Sequence, residues 1–179
     1  MRAKLIKLHL YVAAFFLPML VAMAVSGGLY LTGNKGSTAR TPVEITAPQV
    51  LLVSSTTLET DVRDFLKANQ IDHDFEYVKV SGSTLTTRPT SRTYYEIKTS
   101  VNADQLSQVE PDWIKVLVEL HKGHGPLWYK DLQKLMALGL LFVLISGVWL
   151  GVSSPTLRTP TLLSTVAGSI LFIVLGFLI

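Results

Sequence analysis

The sequence predicts an α-helical membrane protein, with three transmembrane helices and one extracytoplasmic α+β domain held between the first helix and the second. Three observations predict it. Long uncharged apolar runs occur three times, cations gather beside those runs, and a middle segment of about 100 residues changes from a helical to a strand-like hydrophobic period.

The first run follows a basic start containing Arg2, Lys4 and Lys7 (residues 1–7) and extends from Leu8 to Leu31. Its roughly 24 residues suffice to cross a hydrocarbon core about 30 Å thick. Tyr30 stands where an interface anchor belongs, and Pro18 is tolerable inside a membrane helix. Ala22-Met-Ala24 after a basic start also fits a signal-peptide cleavage site, but the apolar run continues beyond it and exceeds the usual apolar core of about 7 to 15 residues. Cations flanking short segments set orientation, so the amino terminus is expected in the cytoplasm and residues 32–130 in the periplasm. A second run spans 135–153, with Trp128 and Tyr129 ahead of it and Trp149 near its end. A cytoplasmic turn at 154–160 carries Pro155 and Arg158, and a third run covers 161–179. A bacterial inner membrane is the expected location.

In the middle segment, Thr32 to Pro48 has the Gly and Pro content of a linker and reads as a short stalk. Thr56 three residues before Glu59 suggests a capping box, followed by Leu58, Val62, Phe65 and Leu66 at helical spacing to about Asn69. Beyond Ile71, Phe75–Val80 and Thr93–Val101 are rich in β-branched and aromatic residues, with Thr84–Arg88 as a middle strand between two turns. One helix across a small antiparallel sheet is the economical arrangement, with Phe65, Phe75, Tyr77, Tyr94 and Tyr95 as core. Pro111 opens a further helix to about His121, with Trp113, Leu117, Leu120 and His121 on one face. That helix either completes the domain or lies on the membrane surface.

Composition excludes several functions. The formal charge of +3 comes from the helix flanks, because Thr32 to Lys130 holds about eleven basic and twelve acidic residues. A nucleic-acid partner is therefore not expected. The absence of cysteine removes disulfides, thiolate metal sites, iron–sulfur clusters and thiol nucleophiles. No zinc-peptidase helix, nucleophile elbow, phosphate loop or dinucleotide fingerprint occurs, so no catalytic residue is assigned. Uncharged spans argue against an ion pump.

The stretch Leu120-His-Lys-Gly-His-Gly125, then Leu127-Trp-Tyr-Lys-Asp131 and an apolar helix ending Ile145-Ser-Gly-Val-Trp-Leu150, resembles the PepSY-associated transmembrane family. Lys7-Leu-His9 at the head of the first helix and Ser26-Gly27 near its end extend the likeness to nearly the whole chain. The resemblance implies a PepSY-like exported domain, as read between about Ile45 and Val101. It also implies a relation to siderophore-iron reductases, whose membrane histidines ligate haem b. Ser26-Gly-Gly-Leu-Tyr-Leu31 and Ser146-Gly-Val-Trp-Leu-Gly151 are alike as well, which reads either as a weak inverted repeat or as convergence on small-residue helix packing.

Candidate haem ligands under that resemblance are His9 and His121, with His124 as a neighbour. His9 and His121 should lie roughly 25 Å apart in a bilayer core of about 30 Å, so they cannot share one haem. His121 and His124, three apart on one helical side, cannot grip opposite faces of one iron. A haem would need a second chain for bis-histidine ligation, or one-sided ligation. The plainer reading makes His9 an interfacial anchor and His121 a helix-terminal hydrogen-bonding residue; Glu119, His121 and His124 lack the spacing of a zinc site, and no metal is assigned. His73, between Asp72 and Asp74, reads as a solvated turn residue. The favoured function is a non-catalytic membrane protein whose domain binds, regulates or helps assemble a membrane or periplasmic partner, or a second copy. The alternative is a haem b-binding electron-transfer component.

Overall fold

The computed structural model describes residues 2–49, 51–100 and 104–178, the side chain at position 178 excepted. Among the described residues three helices are long and apolar enough to cross a membrane: α1 (Arg2–Leu31), α4 (Leu127–Val152) and α5 (Arg158–Ile173), the last continuing into a π-helical turn at Val174–Leu178. Between α1 and α4 lie β1 (Thr38–Val43), α2 (Leu58–Ala68), β2 (Tyr77–Ser81), β3 (Thr84–Arg88), β4 (Tyr94–Lys98), β5 (Gln105–Pro111) and α3 (Trp113–His121). Two compact units result, one of residues Val21–Gln133, the other of those up to Leu20 with those from Lys134 onward.

In the first unit the five strands form one antiparallel sheet in the order β1-β5-β4-β3-β2. Helix α2 lays its apolar stripe of Val62, Phe65 and Leu66 into a core with Leu51, Phe75, Leu85, Ile97 and Leu106. Each stripe residue is at most 1 % exposed. Of the expected aromatic core, Phe65, Phe75 and Tyr94 are buried, and Tyr77 and Tyr95 are half-buried. The expected capping box does not form. Thr57 is the N-cap, without a side-chain bond to a backbone N–H, and its hydroxyl and that of Ser55 hydrogen-bond Asp61 instead.

The supposed stalk is part of the sheet. Its residues 38–43 form β1, paired with β5, and Asn69 Oδ1 accepts from the N–H groups of Thr46 and Ala47 at 2.8 and 2.9 Å, which fastens the rest of the segment to the end of α2. Residues 101–103, including the expected strand end at Val101, lie outside the described residues.

Helix α3 belongs to the domain and packs against β5. Pro111 ends β5 rather than opening α3, and Asp112 is the N-cap, accepting from Lys115 N at 2.7 Å and from Ser37 N at 2.8 Å. Those hydrogen bonds lower the Asp112 carboxyl pKa. Gly36 beside it has φ +69°, and a Cβ there would run into Lys115 N, so both backbone conformation and space call for glycine. The buried face of α3 is Val118 and Glu119, whereas Trp113 of the expected face is 67 % exposed. Glu76 accepts from Leu127 N at 2.9 Å and so caps α4, which begins eight residues before the apolar run. Lys130 and Asp131 consequently stand in its first turns.

In the second unit small residues allow close helix contact. A Cβ at Gly139 would collide with the Phe16 ring, and one at Gly151 with the Thr161 side chain. Phe16, Met136, Ser146 and Ser154 are its buried residues, and α5 buries none among those described.

Candidate functional site

His121 ends α3 with its side chain against the last turns of α1. Its Nδ1 lies 3.0 Å from Ser26 Oγ and 3.1 Å from the Met23 carbonyl oxygen. A carbonyl only accepts, so this contact calls for a hydrogen on Nδ1, which in a neutral ring leaves the lone pair on Nε2. No described residue hydrogen-bonds that nitrogen. The imidazole lines a cavity of about 500 Å³ together with Ser26, Gly27, Tyr30, Leu31, Val118 and Lys122. Its ring is close to the α1 backbone, since a Cβ on Gly27 would stand 3.2 Å from His121 Cε1.

His9 occupies a similar position in the other unit. Its Nδ1 is 2.8 Å from Ser146 Oγ on α4, and a Cβ on Gly147 would be 3.4 Å from its Cε1. Each histidine thus rests on a Ser-Gly step, and both serines are buried, at 1 % and 5 % exposure. The likeness of the two Ser-Gly segments noted in the sequence therefore has a structural counterpart, one pair in each unit.

His124 is not brought to the His121 cavity. Its Nδ1 donates to Glu119 Oε2 at 2.6 Å, within a cluster in which that oxygen also accepts from Thr90 Oγ1 at 2.7 Å. Lys115 and Lys122 each place Nζ 3.2 Å from Glu119 Oε1, and Arg88 lies 3.8 Å away while donating to Thr90. Burial alone would raise the Glu119 pKa, but the hydrogen bonds from Thr90, His124 and Lys115, with Lys122 nearby, bring it down to about 2. Burial lowers the His124 pKa more than the Glu119 hydrogen bond raises it, with Arg88 and Lys122 pushing the same way as burial. Neutral His124 still donates through Nδ1–H. The cluster ties the β3–β4 turn, α3 and the α3–α4 connection together, and it holds the helix that carries His121.

The presumed solvated residue His73 is instead packed. Its ring stacks on Phe75 and meets Tyr95 edge-on, and its Nε2 lies 3.1 Å from Thr87 Oγ1. Burial and then Arg92 lower its pKa. Among the described residues no group of three His, Cys, Asp or Glu side chains is disposed to hold a metal ion.

Both histidine seats and the whole intervening domain fall within the match to a known family signature, the PepSY-associated TM region, at residues 6–175. The chain belongs to the PepSY-associated TM family. No curated protein and no solved structure matches it. In this PepSY-associated TM chain the family resemblance pointed to both imidazoles from the sequence. It left unseen the hydroxyl that receives each one, and the Glu119 cluster, because residues far apart in the chain build these contacts. The repeated Ser-Gly step was the signal available for the first.

Proposed function

We propose that this PepSY-associated TM protein is a haem b-binding electron-transfer component of the bacterial inner membrane, with its α+β domain in the periplasm. His121 would hold the haem iron near the outer face, and His9 would do so near the inner face. The observation that carries this reading is the setting of the His121 ring. Its Nδ1 lies within hydrogen-bond distance of the Met23 carbonyl and Ser26, and Nε2, the nitrogen that would coordinate iron, has no hydrogen-bond partner among the described residues beside a largely apolar cavity. The donor set fits haem rather than a bare metal ion, because each seat offers one imidazole, and the His121 cavity is lined mainly by apolar atoms with Lys122 as its charged residue. His124 is no ligand in this reading, since Glu119 holds it.

Bound haem b would supply a one-electron redox centre. The protein's own contribution is to fix the imidazole's direction through the serine and to place apolar side chains such as Leu31 and Val118 around it. Because each seat provides a single histidine, the iron would be held from one side by this chain, or by a further histidine supplied from another chain. A membrane or periplasmic partner or a second copy would supply that further histidine. A haem-specific absorption spectrum of the detergent-purified protein tests it.

Topology is tested separately. Arg2, Lys4 and Lys7 support a cytoplasmic amino terminus. A reporter active only outside the cytoplasm should work when fused after Ser100 and fail when fused after Ser154. The reverse pattern would put the domain in the cytoplasm.

A further inference from the structure

We propose that Ser26 and Ser146 are positioning residues that lock His121 and His9 in the Nδ1–H tautomer, making the two Ser-Gly steps equivalent imidazole seats. The significance for ligation rests on the haem reading. The tautomer itself does not.

A serine hydroxyl has one hydrogen to give. Ser146 Oγ lies 2.6 Å from the Phe142 carbonyl oxygen and 3.2 Å from that of Val143, and Ser26 Oγ lies 3.1 Å from the Met23 carbonyl oxygen. Each hydroxyl therefore spends its proton on its own helix and turns a lone pair outward. The partner of that lone pair must be a donor, so the histidine nitrogen at 2.8 or 3.0 Å carries hydrogen. The glycine that follows each serine brings the ring close enough for this bond, with Cε1 next to the bare Cα. A hydrogen bond given by Nδ1–H makes Nε2 more electron-donating and fixes the direction of its lone pair.

The seats differ in one respect. His121 has the Met23 carbonyl as a second acceptor, whereas Ser146 is the acceptor His9 has among the described residues. Ser146→Ala should consequently disturb His9 more than Ser26→Ala disturbs His121.

The test is nitrogen NMR of the full chain with ¹⁵N-labelled histidine side chains, in detergent micelles without haem, at a pH above the ordinary histidine pKa. Wild-type His9 and His121 should each show a protonated Nδ1 and a bare Nε2. Ser146→Ala should move His9 towards a mixture of tautomers, Ser146→Thr should restore it, and Ser26→Ala should give the smaller change, with His73 and His124 resonances unmoved as evidence of an intact fold. If wild-type His9 carries its proton on Nε2, or Ser146→Ala leaves its tautomer unchanged, the proposal is wrong. With haem added, Ser146→Ala should also raise the reduction potential at that seat, since a less electron-rich imidazole stabilises ferric iron less. A protein that takes up no haem would end the ligation reading and leave the NMR result standing, so the two failures are separable.

Discussion

Replacing Glu119 with alanine is expected to destabilise the α+β domain by about 3 to 5 kcal/mol, the loss typical of removing one partner from a buried ion pair. The carboxylate is 4 % exposed, and its removal leaves the Arg88 side chain, 8 % exposed and with Nε already lacking a partner, beside Lys115 and His124 with no anion among them. Lys122→Ala should cost no more than about 1 kcal/mol, because Lys122 is 42 % exposed and its pairing is screened by water. The thermal unfolding midpoint of the detergent-solubilised full chain reads both. A pH series gives the sign. The folded state depresses the His124 and His73 pKa values below 6.5, so their contribution is present above that value and falls as pH drops through it. The Glu119 contribution is complete above 4.5 and is lost between 4.5 and about 2. Glu119→Gln should flatten the lower part of that profile.

Phe65→Ala should likewise cost about 3 to 5 kcal/mol, by the combined loss of transfer energy and the cavity left in a close-packed core. Phe65 is fully buried among the residues that α2 shares with the sheet. Lys67→Ala, on the solvent side of the same helix, should change stability by no more than about 0.5 kcal/mol. For a domain of about 100 residues the first change amounts to a drop of roughly 15 °C or more in midpoint. Equal and small shifts for the two variants would place the buried face of α2 elsewhere.

Legibility followed from how locally each element is determined. The spans, α2 and the three middle strands were readable because one apolar stripe or one run of β-branched and aromatic residues specifies each. Strand β5 escaped because both its faces are covered: Leu106 meets the α2 core, while Val109 lies on the opposite face, paired with Tyr94, so no clean alternation marks it. Strand β1 is an edge strand with Arg40 exposed and Pro42 within it, a composition indistinguishable from linker. The face of α3 was misassigned because the buried Glu119 carboxylate is held by Arg88, Thr90 and His124 as well as by the nearby Lys115 and Lys122, and the first three lie outside the helix. At the candidate site His9 and His121 stood out by residue type and flank. Grouping His124 with His121 followed sequence spacing alone, and the contact with Glu119 turns it elsewhere.

The central claim is that the His121 seat holds haem b. After expression with ample haem and with its native membrane partners present, the detergent-purified protein should show, on reduction, the sharp absorption of histidine-ligated haem b. His121→Ala should lose the component due to that seat, while His73→Ala, whose imidazole is packed on Phe75, should keep it. A colourless wild-type protein under those conditions, or a His121→Ala spectrum identical to wild type, would contradict the account.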